Sequence, residues 1–413
     1  MLRPYELSPT HLISRVWGAC CLCLVSAGLT GCATYQAEPL SPTSVAARFD
    51  SRTLNDPGLE NFLKQSPVYD AAKWPPQSWD LETLSVAAIY FNPAMELARA
   101  QWLVALGGDT AAGARLNPTL ALTPGYNISA ASGVVPWFPG FTLDVPVETA
   151  GKRRFRIAQS RHASESARLN ILVTAWHIRS TLRSSLLDYS AAMERETLLK
   201  NQRALQQKIL DSLQQQVGAG SVSRSELTLV RVAMDRMSLD VADAQQQSSD
   251  ARVRVADALG LPAVAIEGIK LRYTPNLAAG PMLLSNWKEV RDIALQSRAD
   301  ILAALADYET AQSGLQLEIA KQYPDIHLGP GYQYDQGEHK FSLGITAELP
   351  ILNQNQGGIA QAKARRTEAA AKFNVAQSKV IAEIDHAVAS LKVSQQVLES
   401  LADIITSRKA QLQ

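Results

Sequence analysis

The sequence predicts a mainly helical chain with a membrane β-barrel contribution, in which one unit of helix, β-hairpin and long helical hairpin is written twice. The first observation behind this is an internal repeat. "LTPGYN" (Leu122–Asn127) returns as "LGPGYQ" (Leu328–Gln333), 206 residues on, with Asn117-Pro118 and Tyr323-Pro324 ahead of the two copies at the same offset. Pro146 and Pro350 lie 204 apart, and Ile157 and Ile359 lie 202 apart, so order and spacing both persist. A period this long is a tandem duplication, not a solenoid unit. The second observation is strict apolar–polar alternation in the segments around each copy, the mark of strands with one dry face and one wet face. The third is the absence of Gly and Pro from Lys152 to Val217 and again from Ile359 to Gln413. Ordinary helices average about three turns; the first of these runs would extend about 100 Å as a helix.

Composition bounds the rest. The 413 residues allow two or three average domains or one extended one. Lys+Arg total 40 against 39 Asp+Glu, so no basic excess points to nucleic acid. The four cysteines are Cys20, Cys21, Cys23 and Cys32. Three fall in the apolar run "VWGACCLCLVSAGL", behind Arg3 and Arg15. A charged start, a short apolar core and small residues before a boundary describe a signal peptide over residues 1–31, and the run is too short to span a bilayer. "LTGC" (Leu29–Cys32) resembles a bacterial lipobox, so cleavage before Cys32 would leave one cysteine carrying lipid. The other reading is an ordinary signal peptide with an incidental cysteine. By resemblance to bacterial lipoproteins, Ala33 implies sorting to the outer membrane.

An N-terminal segment over 32–80 precedes the first repeat, 81–262. Its strands are predicted at about 118–128 and 140–148. Leu120, Leu122, Tyr126 and Ile128 share one face, and Phe141, Leu143, Val145 and Val147 share another. Helices follow over 152–217 and 222–259. Ile171, Ala175, Ile178, Leu182 and Tyr189 keep the 3–4 spacing of a heptad seam. Gly218 and Gly220 allow the turn, Ser223 with Glu226 matches a capping box, and Gly260-Leu261-Pro262 stops the return helix. A linker over 263–282 leads to the second repeat, 283–413, with strands at about 325–335 and 340–351 and a helix over 359–413. Here Ile326, Leu328, Tyr332 and Tyr334 oppose His327, Gly329, Gly331 and Gln333, and Phe341, Leu343, Ile345 and Ala347 oppose Ser342, Gly344, Thr346 and Glu348. A soluble sheet alternates in the same way, but aromatic residues near the strand ends (Tyr126, Trp137, Phe138, Phe141, Tyr332, Tyr334, Phe341) favour a membrane interface. Four strands cannot close a barrel alone, so several chains must contribute. Gly260 lies 114 residues after Pro146, whereas only 63 residues follow Pro350. The seam from Ile381 to Ile405 is therefore expected to lack a returning helix, as in a fragment of a longer protein or an altered architecture.

No catalytic constellation and no metal-ligand spacing is present: His162, His177, His327, His339 and His386 are unpaired in sequence. "GAGSVSRS" lacks the lysine of a phosphate loop. "GKRRFR" (Gly151–Arg156) is expected at a membrane interface or in solvated ion pairs.

"FNPAMELARA", "YPDIHLGPGYQYD", "LPILNQNQGGIAQA" and the turn "VGAGSVSRSEL" resemble the TolC-like outer-membrane efflux proteins, over nearly the whole chain from "FDSRTLNDPGLENFL" onward. Within that family the CzcC/CusC-type lipoproteins, which serve heavy-metal resistance-nodulation-division pumps, are similar. The resemblance implies a homotrimer that pools four strands per protomer into a 12-strand barrel, continued by an α-helical periplasmic tunnel. It implies an outer-membrane location, a passive exit duct fed by an inner-membrane pump and a periplasmic adaptor, and no cofactor beyond the covalent lipid on Cys32. It places Val217, Gly218, Ala219, Gly220, Ser221, Ser223, Glu226 and Leu227 at an adaptor-docking tip. Strand–helix junctions fall at Pro146, Gly151, Pro350, Gly357 and Gly358, with the glycines supplying the bend. Asp144, Glu148, Asp325 and Glu348 are expected to face the lumen, where they either wet a wide channel or tune ion passage. The alternatives are a periplasmic adaptor or structural coiled-coil lipoprotein, or the outer-membrane component of a type I secretion system.

Overall fold

The computed structural model describes residues 33–66, 74–273 and 286–412. Two units divide the chain, one up to Ser51 and the other Arg52–Gln413. In the first unit the described secondary structure is α1 (Pro42–Asp50), which buries no residue. Cys32 and the rest of the predicted signal peptide lie outside the described residues.

The second unit opens with three short helices, each started by a side chain that accepts from orphan first-turn N–H groups. Asp56 caps α2 (Pro57–Lys64) through Gly58 and Leu59, Asp80 forms a full capping box with Thr83 at α3 (Leu81–Phe91), and Asn92 caps α4 (Pro93–Gly113) through Ala94. Strands β1 (Thr119–Leu122), β2 (Gly125–Tyr126), β3 (Trp137–Phe138) and β4 (Gly140–Val147) follow. The 67-residue α5 (Lys152–Gly218) then turns back into α6 (Arg224–Leu259). Helices α7 (Trp287–Ser297) and α8 (Ala299–Ala320), strands β5 (Ile326–Asp335) and β6 (Glu338–Ala347), and α9 (Gln356–Leu412) repeat the order. Asn92 between α3 and α4 and Arg298 between α7 and α8 stand 206 residues apart, and both hold extended backbone (φ −69°, ψ 123° and φ −65°, ψ 132°). The duplication is thus visible as one repeated kink, made by Asn-Pro in one copy and Arg-Ala in the other.

The main core gathers Leu59, Leu84, Met95, Leu182, Leu186, Val255 and Leu259, from α2, α3, α4 and both arms of the long hairpin. The predicted seam of α5 points into it: Ile178 and Leu182 are buried, and Ile171, Ala175 and Tyr189 pack against it. On α9, Ala362, Ala369 and Val380 are buried, but Val393, Val397, Leu398, Leu401, Ile404 and Ile405 are exposed. Among the described residues no helix is long and apolar enough to cross a membrane.

Three boundaries differ most from the sequence reading. Strand β6 (Glu338–Ala347) starts two residues before and stops four residues before the expected 340–351. The predicted strand 118–128 is broken: β1 ends at Leu122, Pro124 interrupts, and β2 pairs with β3 in a separate two-stranded sheet. Helix α9 starts at Gln356 rather than 359, because the bend before it falls at Asn355.

Candidate functional site

One four-stranded antiparallel sheet, in the order β1-β4-β5-β6, joins the two repeats. Its register sorts side chains by face, because neighbours across the ladder point the same way. One row set runs Thr119↔Asp144, Ala121↔Thr142, Thr142↔Gly331↔Ser342, Pro146↔His327↔Thr346 and Gly329↔Gly344. That face is small or polar throughout. The opposite face carries Leu120, Leu122, Phe141, Leu143, Val145, Ile326, Leu328, Tyr332, Phe341, Leu343 and Ile345. Phe141, Tyr332 and Phe341 stand in one cross-strand row, with ring centroids 5.6 and 5.3 Å apart. On β6 the apolar residues Phe341, Leu343 and Ile345 are 81%, 70% and 70% exposed in the single chain, so nothing within the protomer covers them. The β4–β5 ladder skips Leu143-Asp144 opposite Gly329-Pro330. Pro330 has no N–H to donate there. Pro146 lies inside β4 rather than at its end, one residue before the strand stops at Val147.

The four carboxylates expected to face a lumen are mostly engaged. Asp144 meets His327 Nδ1 at 3.0 Å, both side chains 42% exposed. Glu148 pairs with Arg156, and Asp325 accepts from Lys152 Nζ at 2.8 Å and from the Thr149 N–H at 2.9 Å. Glu348 is exposed and has no ionic partner among the described residues. For Glu148 and Asp325 the expected open carboxylate is therefore replaced by a brace at the base of the sheet.

In "GKRRFR" the arginines are not merely solvated but hold specific partners. Arg153 donates to the Gly113 carbonyl through Nε (3.1 Å) and Nη2 (2.6 Å). Arg156 donates to the carbonyls of Ala112 (3.1 Å) and Ala114 (3.2 Å). The last carbonyls of α4, orphaned and partially negative, are thus capped by two guanidinium groups from α5. Ala150 (φ 53°) and Gly151 (φ 74°), both left-handed, supply the bend that starts α5.

At the second junction the bend was expected at Gly357-Gly358, but both lie in the first turn of α9. The left-handed residue is Asn355 (φ 59°), and asparagine tolerates that region because its short side chain bonds locally. Asn355 Nδ2 donates to the Glu318 carbonyl at 2.9 Å and to Glu318 Oε2 at 2.8 Å. Gly358 leaves room for two side chains, since a Cβ there would crowd Asn355 Oδ1 and stand 2.7 Å from Glu318 Oε2. Pro350 sits in the connecting loop, partly buried.

At the far end of the hairpin, α5 ends at Gly218 and α6 begins after Ser223. Gly220 turns at φ 76°, and the Ser221 N–H and hydroxyl both donate to the Gln216 carbonyl (3.0 and 2.9 Å). Ser223 Oγ accepts from the Glu226 N–H at 3.3 Å, which is one half of the expected capping box. Val217 and Leu227 are partly buried, whereas Gly218, Ala219, Gly220, Ser221, Ser223 and Glu226 are exposed. Among the described residues no cluster of three or more His, Cys, Asp or Glu is placed to hold a metal.

Burial pushes the Asp325 carboxyl up, but the Lys152 ammonium and the Thr149 N–H pull harder, and the net shift is downward. A carboxylate depressed in the folded state stabilises at neutral pH, and that contribution fades as pH falls below the unfolded value and through the folded one. Asp325→Asn is expected to cost about 2 kcal/mol at pH 7, with the gap to the unmodified protein narrower at about pH 3. Paired thermal unfolding at the two pH values measures this; a gap that stays constant would remove the ionic brace.

A model of the outer membrane efflux protein family matches residues 84–261 and 290–413. The cobalt-zinc-cadmium resistance protein CzcC of Cupriavidus metallidurans is 25% identical over 221 residues, 52% of this chain and 51% of that protein. The chain thus spans about half the length of the curated relative it matches. Among solved structures, the outer membrane protein VceC of Vibrio cholerae superposes with a TM-score of 0.64 at 18% identity, covering 78% of this chain and 81% of VceC. The CmeC outer membrane channel of Campylobacter jejuni gives 0.62 at 16% identity, covering 83% and 79%. At these identities the likeness of structure shows the fold, that of the TolC-like channels. With the family match covering both repeats, the chain belongs to the outer membrane efflux protein family.

Proposed function

We propose that the chain is the outer-membrane exit duct of a tripartite efflux system. The observation that carries this is the two-faced sheet: small or polar on one side, apolar and uncovered on the other, continued through braced junctions into a hairpin whose first arm, α5, is about 100 Å long. A sheet of this kind fits a barrel wall with water inside and lipid outside. Three protomers pool their strands into a 12-strand barrel, and the hairpins form the periplasmic tunnel. Lipid on Cys32 adds a second anchor. The duct is passive and needs neither cofactor nor catalytic residue. An inner-membrane pump of the resistance-nodulation-division type loads it through a periplasmic adaptor, which meets the exposed turn from Val217 to Leu227. The name of the Cupriavidus metallidurans relative favours a heavy-metal cation as cargo over a drug.

Gly218→Pro tests the docking assignment. Gly218 closes α5, and a Cβ there would meet nothing within 4 Å. A proline ring clashes with the carbonyl of the preceding turn, removes one helical N–H bond and distorts the turn. The expected result is loss of metal resistance with normal amounts of trimer in the outer membrane. Full resistance with normal trimers would remove the tip from the docking surface, and failure of the unmodified chain to form outer-membrane trimers would remove the duct itself.

A further inference from the structure

A pocket lies between α5, the start of α3 and the segment ending at Tyr273, and none of its lining residues belongs to the sheet. Its volume is about 450 Å³, and Asp80, Glu82, Arg179, Arg183, Arg272 and Tyr273 supply its polar lining. A parallel bridge between Trp79 and Leu271 builds one wall: the Trp79 N–H donates to the Lys270 carbonyl (3.0 Å) and the Arg272 N–H to the Trp79 carbonyl (2.8 Å). This sets Arg272 beside the N-terminus of α3. Arg179 and Arg183 stand one turn apart on α5, which puts both on the same side of the helix.

The two acids are already committed. Asp80 accepts from the Thr83 N–H (2.9 Å) and hydroxyl (2.7 Å) as the cap of α3. Glu82 holds Arg179 at 2.6 Å. Arg183 meets only the Tyr273 hydroxyl, at 3.4 Å, and neither Arg183 nor Arg272 has a carboxylate partner among the described residues. Arg183 and Arg272, both exposed, share one concavity with the Asp80 cap of α3 and the Glu82–Arg179 pair, and neither arginine is held by those acids. Each presents a planar fork that matches an oxyanion.

We propose that this pocket binds a small soluble oxyanion, a phosphate or carboxylate group held between Arg183 and Arg272, with the Tyr273 hydroxyl completing the shell. The site is independent of the duct reading and stands or falls apart from it.

The test uses the full chain in neutral detergent, titrated with inorganic phosphate or citrate against chloride at constant ionic strength. The unmodified protein is expected to show a saturable rise in unfolding temperature with either anion. Arg183→Gln with Arg272→Gln should abolish the rise, whereas Arg231→Gln with Arg236→Gln, two exposed arginines of α6, should retain it. Arg183→Lys keeps the charge but loses the fork, so calorimetry should show binding weakened by about tenfold. No saturable rise in the unmodified protein would overturn the proposal, as would an equal response from the pocket pair or unchanged affinity in Arg183→Lys.

Discussion

Leu343→Arg is expected to empty the outer membrane of trimers, while Thr346→Arg leaves most of them in place. Both residues belong to β6, three positions apart, and both are exposed in the isolated chain. Their difference lies in facing. Leu343 stands with Phe341 and Ile345 on the apolar side, whereas Thr346 pairs with His327 on the polar side. Toward lipid, an arginine costs about 2–4 kcal/mol near the bilayer midplane and less near the interface. In the proposed trimer three such charges would enter one barrel. Toward water, the same side chain stays hydrated and costs little. Outer-membrane fractions run with and without heating would give the amount of trimer for each variant. Equal loss would show that the two faces do not meet different solvents, and the barrel reading would go with it.

The faces of this sheet were readable in the sequence because a strand has a period of two, and that period survives whatever the strand pairs with. The hairpin was readable for a similar reason: long Gly- and Pro-free runs with 3–4 spacing leave little else to form. What stayed hidden was set by pairs distant along the chain. Nothing near Arg153 or Arg156 announces that their partners are carbonyls about forty residues earlier, at the end of α4. Lys152 and Asp325 come from different repeats. The misreading at Gly357-Gly358 has another origin. Glycine marks both bends and close approaches, and here Asn355 makes the bend while Gly358 makes room for Glu318. The single strand expected over 118–128 breaks at Pro124-Gly125, where a turn pair outweighs a good alternating pattern.

Gly260→Ala is expected to be the most destabilising small substitution in the helical part, costing about 2–5 kcal/mol. Gly260 ends α6 at φ 73°, and the Leu261 N–H reaches back to the Ala256 carbonyl at 3.0 Å while Leu261 itself is buried. A left-handed alanine costs about 1–2 kcal/mol at such a position. The rest comes from contact. A Cβ on Gly260 would stand 2.8 Å from Asn92 Cα and 2.9 Å from the Phe91 carbonyl oxygen. Both are backbone atoms, so no side chain can swing aside, and forced overpacking of this kind costs about 1–3 kcal/mol more. The neighbourhood is tied together besides: Arg52 Nη1 donates to the carbonyls of Phe91 (2.9 Å) and Gly260 (3.0 Å), and Asn92 Nδ2 donates to that of Ala258 (3.2 Å). Separating the kink before α4 from the end of α6 would stretch all three bonds. Gly268 supplies the control, because it is also left-handed (φ 74°) but would set its Cβ in open space. Gly268→Ala should therefore lose only the conformational part, about 1–2 kcal/mol. Chemical unfolding of the two variants beside the unmodified protein separates the two contributions. A Gly260→Ala loss no larger than that of Gly268→Ala would mean that the close approach of α6 to Asn92 does not hold the helices together.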